Sequence, residues 1–102
     1  MKVEYESAKL QKLCTDEREM QRKRADIAKG LKLRIKALES APLFGDLQTD
    51  DPLGRWHELT ADLRGRWAGK LTVNQRLIVI PDSIVDADYA ASVTVVDIVD
   101  YH

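Results

Sequence analysis

The sequence contains few of the residues that mark specialised classes of protein. Its 102 residues include one Cys, three Pro and five Gly, so an internal disulfide is impossible and a collagen-like or low-complexity chain is excluded. The longest uncharged apolar stretch, residues 77–81, is far shorter than the roughly 20 residues that cross a bilayer. The chain begins with polar residues rather than a secretory signal. We therefore expect a cytoplasmic protein that makes no contact with a membrane.

Sequence motifs for phosphate and metal binding are also missing. Neither the GxGxxG pattern nor the GxxxxGK[ST] pattern occurs in the chain. Cys14 and the two histidines lie too far apart in sequence for a zinc-ligand spacing. The sequence therefore predicts neither a cofactor nor a metal ion.

Positive charge is not in excess, but it is unevenly distributed. The 16 Lys and Arg are balanced by 17 Asp and Glu, so the chain lacks the overall positive field of a dedicated nucleic-acid coat. Residues 1–40 nevertheless carry 11 basic against seven acidic side chains, whereas residues 81–102 carry five acidic and no basic ones. A local basic face could still contact phosphates. The alternative is solvated faces whose charges cluster by chance.

The residues that are present indicate one small globular domain spanning residues 1–102. Apolar residues make up 44% of the chain, enough for one modest core at this length. Alternation of Val3 and Tyr5 with polar residues predicts a first strand. Apolar residues at helical spacing then predict one helix over residues 8–24, which could break near Thr15, and a second over residues 25–40.

The second half of the chain is rich in β-forming residues. Residues 41–54 contain two prolines and two glycines and are predicted to form a connector over the surface. Four strands are predicted after it, over residues 55–59, 66–71, 76–80 and 92–99. Residues 77–80 are apolar on both faces, so a helix should cover at least one side of that strand. The predicted fold is α+β, with an N-terminal strand and a two-helix hairpin packed on a mostly antiparallel sheet.

Several side chains in this half could form one acid–base site. Cleavage of RNA needs a base for the 2′-hydroxyl, an acid for the leaving 5′-oxygen and a cation for the charge that develops on phosphorus. Two histidines and several arginines could supply these groups without a metal, because the 2′-hydroxyl is an internal nucleophile. The candidates are His57, Arg64, Arg66, Lys70, Arg76, Asp100, Tyr101 and His102.

Each candidate also has a simpler structural interpretation. A single histidine in a strand is commonly half-buried and hydrogen-bonded, and arginines are most often surface charges. Residues 100–102 would ordinarily be a frayed tail. The aromatic residues Trp56 and Trp67 fit a core better than a base-stacking platform, and Cys14 fits a packed small apolar side chain better than a reactive thiol. These patterns alone leave the function open.

A set of motifs in residues 54–102 resembles the HigB ("killer protein") toxins of the RelE/ParE superfamily. The resemblance rests on a His-x-Leu segment, a polar turn with a nearby Gly and aromatic residue, an Asn-x-Arg strand and an Asp-Tyr-His triplet. These motifs correspond to His57-Glu58-Leu59, Asp62, Gly65 and Trp67, Asn74-Gln75-Arg76, and Asp100-Tyr101-His102. The layout of the N-terminal half is also similar.

This resemblance implies a RelE/ParE-like fold and the toxin of a type II toxin–antitoxin pair. Such a toxin is a metal-independent endoribonuclease (mRNA interferase) that cleaves translated mRNA in the ribosomal A site and so inhibits translation. The implied partners are the 70S ribosome with its mRNA and a HigA-type helix-turn-helix antitoxin, through which the chain would bind operator DNA only indirectly.

The resemblance also implies roles for individual residues. His57 and His102 would share the acid and base duties, and Arg76 would stabilise the phosphoryl charge. Asp100 would orient a histidine or the 2′-hydroxyl, and Tyr101 would stack or hydrogen-bond near the scissile nucleotide.

One departure from the family pattern affects the RNA-binding residues. The family commonly has Lys-Gly-Asp after the His-x-Leu segment, and this chain has Thr60-Ala61-Asp62. Arg64, Arg66 or Lys70 would then supply the missing cation.

Two other classes of function remain open at this point. A toxin of the ParE kind would block a protein target such as DNA gyrase without cleaving RNA. An inactive toxin retained as a corepressor with its antitoxin would cause no growth arrest.

Overall fold

The computed structural model describes residues 1–100, which form four α-helices and five β-strands. The predicted roles of Tyr101 and His102 concern residues outside this range. The elements are β1 (Lys2–Tyr5), α1 (Ala8–Thr15), α2 (Glu17–Arg24), α3 (Ala28–Ser40), α4 (Leu47–Asp50), β2 (His57–Glu58), β3 (Trp67–Lys70), β4 (Gln75–Pro81) and β5 (Ser92–Asp100). Of the helices in this part of the chain, none is long and apolar enough to cross a membrane.

The first predicted helix is divided in two at Asp16. Helix α1 is capped by Ser7, whose hydroxyl accepts a hydrogen bond from the Leu10 amide at 3.1 Å. Asp16 has extended backbone angles, and its carboxylate accepts hydrogen bonds from the first amides of α2, including that of Arg18 at 3.0 Å. An N-cap stabilises a new helix start, so the break predicted near Thr15 is confirmed. With this break, the predicted two-helix hairpin consists of three helices, α1, α2 and α3.

Helix α3 supplies one side of the core. It begins at Ala28, later than the predicted start at residue 25. Leu31, Ile35 and Leu38 are buried at the spacing of one helical face. This apolar stripe packs against one face of the sheet, to which β4 contributes Leu77 and Val79. The prediction that a helix covers at least one side of this strand is confirmed.

The predicted surface connector is wrong, because residues 41–54 contribute to the core. Phe44 is 1% exposed, and its ring makes edge-on contacts with Trp56 and Trp67 at centroid distances of 6.0 and 5.1 Å. Leu47 of the short helix α4 is also buried. Proline and glycine mark turns, but they do not show which of the intervening apolar side chains face inward. The prediction that both tryptophans pack in the core or on a sheet face is confirmed.

The five strands form one mixed sheet in the order β1-β5-β4-β3-β2. Strand β1 pairs parallel to β5, and the other neighbouring pairs are antiparallel. The predicted meander and the α+β class are confirmed. The strand predicted over residues 55–59 is shorter in the structure and corresponds to β2. Strand β5 has a bulge at Val96, where its pairing with β4 shifts register.

Side-chain alternation divides the sheet into a helix-covered face and a second face, here called the open face. Ile78 lies between the core residues Leu77 and Val79 and belongs to the open face. It is nevertheless only 4% exposed, because the segment between β2 and β3 folds over it. Leu59, Leu63 and Arg66 of that segment line a cavity of about 100 Å³ with Ile78.

Gly30 allows α3 to approach the end of β3 closely. A Cβ atom at this position would lie 2.0 Å from the carbonyl oxygen of Leu71. We expect Gly30→Ala to lower the free energy of unfolding by about 1–3 kcal/mol, because backbone atoms must move apart. Urea denaturation measures the change, with the exposed α3 variant Lys36→Ala as the control. Equal stability of the two variants would contradict this contact.

Candidate functional site

His57 lies on the edge strand β2, directly after a sharp backbone turn. Arg55, which ends the 3₁₀ turn Pro52–Gly54, has a φ of 47°, in the left-handed region. The Nδ1 atom of His57 lies 3.0 Å from the Arg55 carbonyl oxygen. A carbonyl oxygen can only accept a hydrogen bond, so Nδ1 carries a proton in this arrangement. An acid–base role for His57 would therefore use Nε2.

Arg76 lies on the central strand β4, and its guanidinium group is held by the turn that precedes it. Nη1 donates hydrogen bonds to the carbonyl oxygens of Thr72 at 2.7 Å and Gln75 at 3.0 Å. The side chain is half-buried. These contacts limit the positions of the charged group before any ligand binds, which reduces the entropy lost on binding.

Strand register brings His57 and Arg76 to the same face. His57 pairs with Ala68, and Ala68 pairs with Ile78. Arg76 is two residues before Ile78 on β4, so both candidates belong to the open face. The Cα atoms of His57 and Arg76 are separated by two inter-strand spacings across the sheet and by two residues along the strand direction. Standard strand dimensions convert this into a distance of about 12 Å. Two side chains at this Cα separation on one face are close enough to contact a single phosphodiester group.

Asp100 lies close to Arg76 in the sheet, but by side-chain alternation it belongs to the face opposite the open face. It pairs with Gln75, and the side-chain Nε2 atom of Gln75 donates a hydrogen bond to the Asp100 carboxylate. Val99, its neighbour in β5, pairs with Arg76 and belongs to the open face. Asp100 is therefore placed at the edge of the site by backbone pairing. The other two members of the predicted triplet, Tyr101 and His102, lie outside the described residues.

The three predicted RNA-binding cations take up different positions. Arg64 is exposed in the segment between β2 and β3. Arg66 is half-buried and lines the small open-face cavity with Asp97. Lys70 is the cross-strand partner of Arg76, although it also lines a cleft beside α3. Arg66 and Lys70 thus border the open face, and Arg64 extends from the loop next to it.

The turn that departs from the family pattern is strained at Ala61. This residue has a φ of 56°, a conformation that glycine adopts without cost, whereas an alanine pays about 1–2 kcal/mol. The HigB family, which the sequence motifs resemble, commonly has glycine at this position. We expect Ala61→Gly to stabilise the protein by about 0.5–1 kcal/mol after the added unfolded-chain entropy is counted.

Thermal unfolding tests this prediction against a matched control. Ala25 has an ordinary helical φ of −56°, so Ala25→Gly should destabilise the protein by about 0.5–1 kcal/mol. Destabilisation by both variants would contradict strain at Ala61.

Sequence reasoning missed a buried ion pair beneath the site. Arg34 lies within the apolar stripe of α3, and Asp51 lies within the segment predicted to be a surface connector. Both are buried, with Arg34 Nε 3.5 Å from Asp51 Oδ2. The same carboxylate oxygen accepts a hydrogen bond from the Trp56 indole at 2.9 Å. The available signal was a charged residue within the apolar stripe of α3.

Cys14 is packed in the core, as predicted. It is 3% exposed, and burial raises the pKa of its thiol to about 12. The thiolate is the reactive form of cysteine, so this thiol is unreactive at neutral pH.

Comparisons with known proteins show similarity at the level of the fold. No protein-family model matches this chain, and no curated protein matches it. Among solved structures, a YoeB/ParE toxin from Agrobacterium tumefaciens is 19% identical with a TM-score of 0.61, and the alignment covers 100% of this chain and 99% of that one. A YoeB–YefM complex from Staphylococcus aureus is 16% identical with a TM-score of 0.60, covering 100% and 97%.

A third structure shows the same similarity. The YoeB dimer from Staphylococcus aureus is 14% identical with a TM-score of 0.57, covering 100% of this chain and 97% of that one. The three neighbours align over essentially their whole length, so the match involves the complete sheet and its helices. This chain therefore has the α+β fold of the YoeB/ParE toxins.

Proposed function

We propose that this chain is the toxin of a type II toxin–antitoxin pair and that it cleaves translated mRNA in the ribosomal A site. The observation that carries the proposal is the placement of His57 and Arg76 on the open face of a fold shared with YoeB/ParE toxins. The HigB subtype remains a prediction from the sequence motifs.

The proposed reaction is attack of the RNA 2′-oxygen on the adjacent phosphorus atom. One histidine, His57 or His102, removes the 2′-hydroxyl proton, and the other donates a proton to the leaving 5′-oxygen. The bond from phosphorus to the 5′-oxygen breaks as the bond to the 2′-oxygen forms, which leaves a cyclic 2′,3′-phosphate. Arg76 stabilises the negative charge that develops on the phosphoryl oxygens. Asp100 and Tyr101 position the reacting groups.

We propose Arg64, Arg66 and Lys70 as the contacts that hold the RNA backbone beside this site. Phosphate contacts position a nucleic acid without reading its sequence. With a net charge of −1 for the whole chain, these local cations carry the attraction to RNA. Binding should therefore weaken steeply with added salt.

The proposed partner is a protein antitoxin of the HigA type. A related fold has been solved as a YoeB–YefM complex. In this chain β2 is an edge strand of two residues beside an exposed basic segment, a surface that an acidic or apolar partner segment would cover. Operator binding would then occur through the antitoxin, in the cytoplasm.

Induced expression with mapping of mRNA 5′ ends tests the proposed function. We expect growth arrest and A-site-spaced cuts with the wild-type chain, and neither with the His57→Ala/His102→Ala double variant. Lys36→Ala, on α3 away from the open face, is the matched control and should retain both effects. Arrest by the double variant with intact transcripts would overturn the mechanism and favour a ParE-like binding toxin. No arrest by the wild-type chain would favour an inactive corepressor.

A further inference from the structure

A second potential site lies on the helix-covered side of the molecule, between α3 and the end of β3. It is an open cleft of about 400 Å³. Its lining includes Lys29, Gly30, Leu33, Arg34, Leu53 and Lys70. The cleft is separate from the small cavity on the open face, which Leu59, Leu63, Arg66 and Ile78 line with two residues of β5.

Arg34 is the unusual member of this cleft. The residue is 5% exposed, and its buried Nε atom has no hydrogen-bond partner within residues 1–100. Asp51 lies 3.5 Å away and balances the charge, but its Oδ2 atom already accepts the Trp56 indole hydrogen bond. An unpartnered Nε atom in a buried guanidinium group is costly, and a carboxylate in the cleft beside that group would offset part of the cost of burying its charge.

The charges around the cleft favour an anionic ligand. Lys29 and Lys70 add two cations to Arg34. Asp26 also lines the cleft, but both of its carboxylate oxygens are held by the Arg24 guanidinium at 3.2 Å. The lining as a whole is therefore positive, and a carboxylate can form charge-assisted hydrogen bonds there.

The rim of the cleft is apolar. Leu53 is 74% exposed and Leu33 is 48% exposed, although leucine side chains lose free energy by remaining in water. An apolar residue beside the carboxylate would cover them. A nucleic-acid backbone offers phosphates but no aliphatic group to bury against two leucines, so these observations favour a peptide.

We propose that this cleft is a docking site for an acidic segment of a partner protein, in which one Glu or Asp carboxylate approaches Arg34 and Lys29 and a neighbouring apolar side chain packs on Leu33 and Leu53. Docking here uses neither His57 nor Arg76, and it shares only Lys70 with the proposed RNA-binding residues. It goes beyond RNA cleavage and can be tested without it.

Nuclear magnetic resonance with two short peptides tests the proposal. The first probe is the capped peptide Leu-Glu-Leu-Ala, and the second has Gln in place of Glu. We expect the Glu peptide to shift the Arg34 Nε–H signal and the backbone amides of Gly30 and Thr72 in a saturable way. We expect the Gln peptide to bind at least tenfold more weakly, because it lacks the charge. Equal shifts with both peptides, or no shift with either, would overturn the proposal.

Rim variants keep the test independent of folding, since substitution of Arg34 itself would disturb the core. Lys29→Glu and Leu53→Ser alter exposed side chains and should each weaken binding of the Glu peptide, the first by about tenfold or more. Lys36→Glu makes the same charge change two turns further along α3, where Lys36 lines a different pocket, and should leave binding unchanged.

Two further results separate this site from the proposed nuclease. Lys29→Glu should retain RNA cleavage while losing the peptide, so loss of one function does not imply loss of the other. A uridine hexanucleotide that shifts the same signals more strongly than the Glu peptide would overturn the assignment to a protein partner.

Discussion

Replacement of Asp51 by alanine is expected to lower the free energy of unfolding by about 3–5 kcal/mol. The Asp51 carboxylate is the charge partner of Arg34, and the two side chains are 10% and 6% exposed. Its removal leaves a buried guanidinium charge uncompensated and the Trp56 indole without its acceptor. Chemical denaturation followed by tryptophan fluorescence measures the change.

Two further variants separate the charge from the hydrogen bond. Asp51→Asn keeps an oxygen for the Trp56 indole but removes the charge, so its stability should lie between those of wild type and Asp51→Ala. The double variant Arg34→Met/Asp51→Leu removes both charges together and should be closer to wild type than Asp51→Ala, because an apolar pair has no unpaired charge. A loss below about 1 kcal/mol for Asp51→Ala would contradict a buried pair.

The second large effect concerns Arg76. If the chain cleaves RNA as proposed, Arg76→Ala should reduce the single-turnover rate on ribosome-bound mRNA by about 10²–10³-fold, the usual effect of removing one donor to a developing negative charge. Arg76→Lys should recover only part of the rate. Lysine keeps the charge but lacks the planar guanidinium group, whose Nη1 atom donates to both the Thr72 and the Gln75 carbonyl oxygens.

The control for Arg76 is an arginine remote from the open face. Arg18 is exposed in the first turn of α2, and Arg18→Ala should leave the cleavage rate unchanged. Equal loss in both variants would indicate general attraction of basic residues to the ribosome. An unchanged rate in Arg76→Ala would remove this residue from the mechanism.

The elements that could be predicted from the sequence are those with a strong periodic pattern. The apolar stripe Leu31, Ile35 and Leu38 predicts most of α3, and the run over residues 77–80 predicts the central strand β4. The start of α2 was harder to locate, because it depends on the hydrogen bonds of one capping residue, Asp16.

The buried part of residues 41–54 could not be predicted, for a different reason. Phe44 is buried because the rings of Trp56 and Trp67 lie beside it, and those rings are contributed by segments further along the chain. Local composition shows proline, glycine and aspartate, which are typical of a turn. It contains no information about which partner covers each apolar residue.

For the candidate site, the sequence alone determined which chemical groups are available: two histidines, a set of arginines and an acidic residue next to a tyrosine. Which of them share a face of the sheet depends on how the strands pair. His57 and Arg76 share the open face because the pairings of β2 with β3 and of β3 with β4 have a particular register, and a shift of one residue would place either side chain on the opposite face.

The α+β class and the order of the main elements follow from the sequence, because apolar periodicity is local and reports directly on helix or strand. Three features become visible only in the folded chain: the parallel pairing of β1 with β5, the buried pair of Arg34 and Asp51, and the cleft beside α3. Each of these joins residues that are distant in sequence, and their contacts depend on how all the elements pack together.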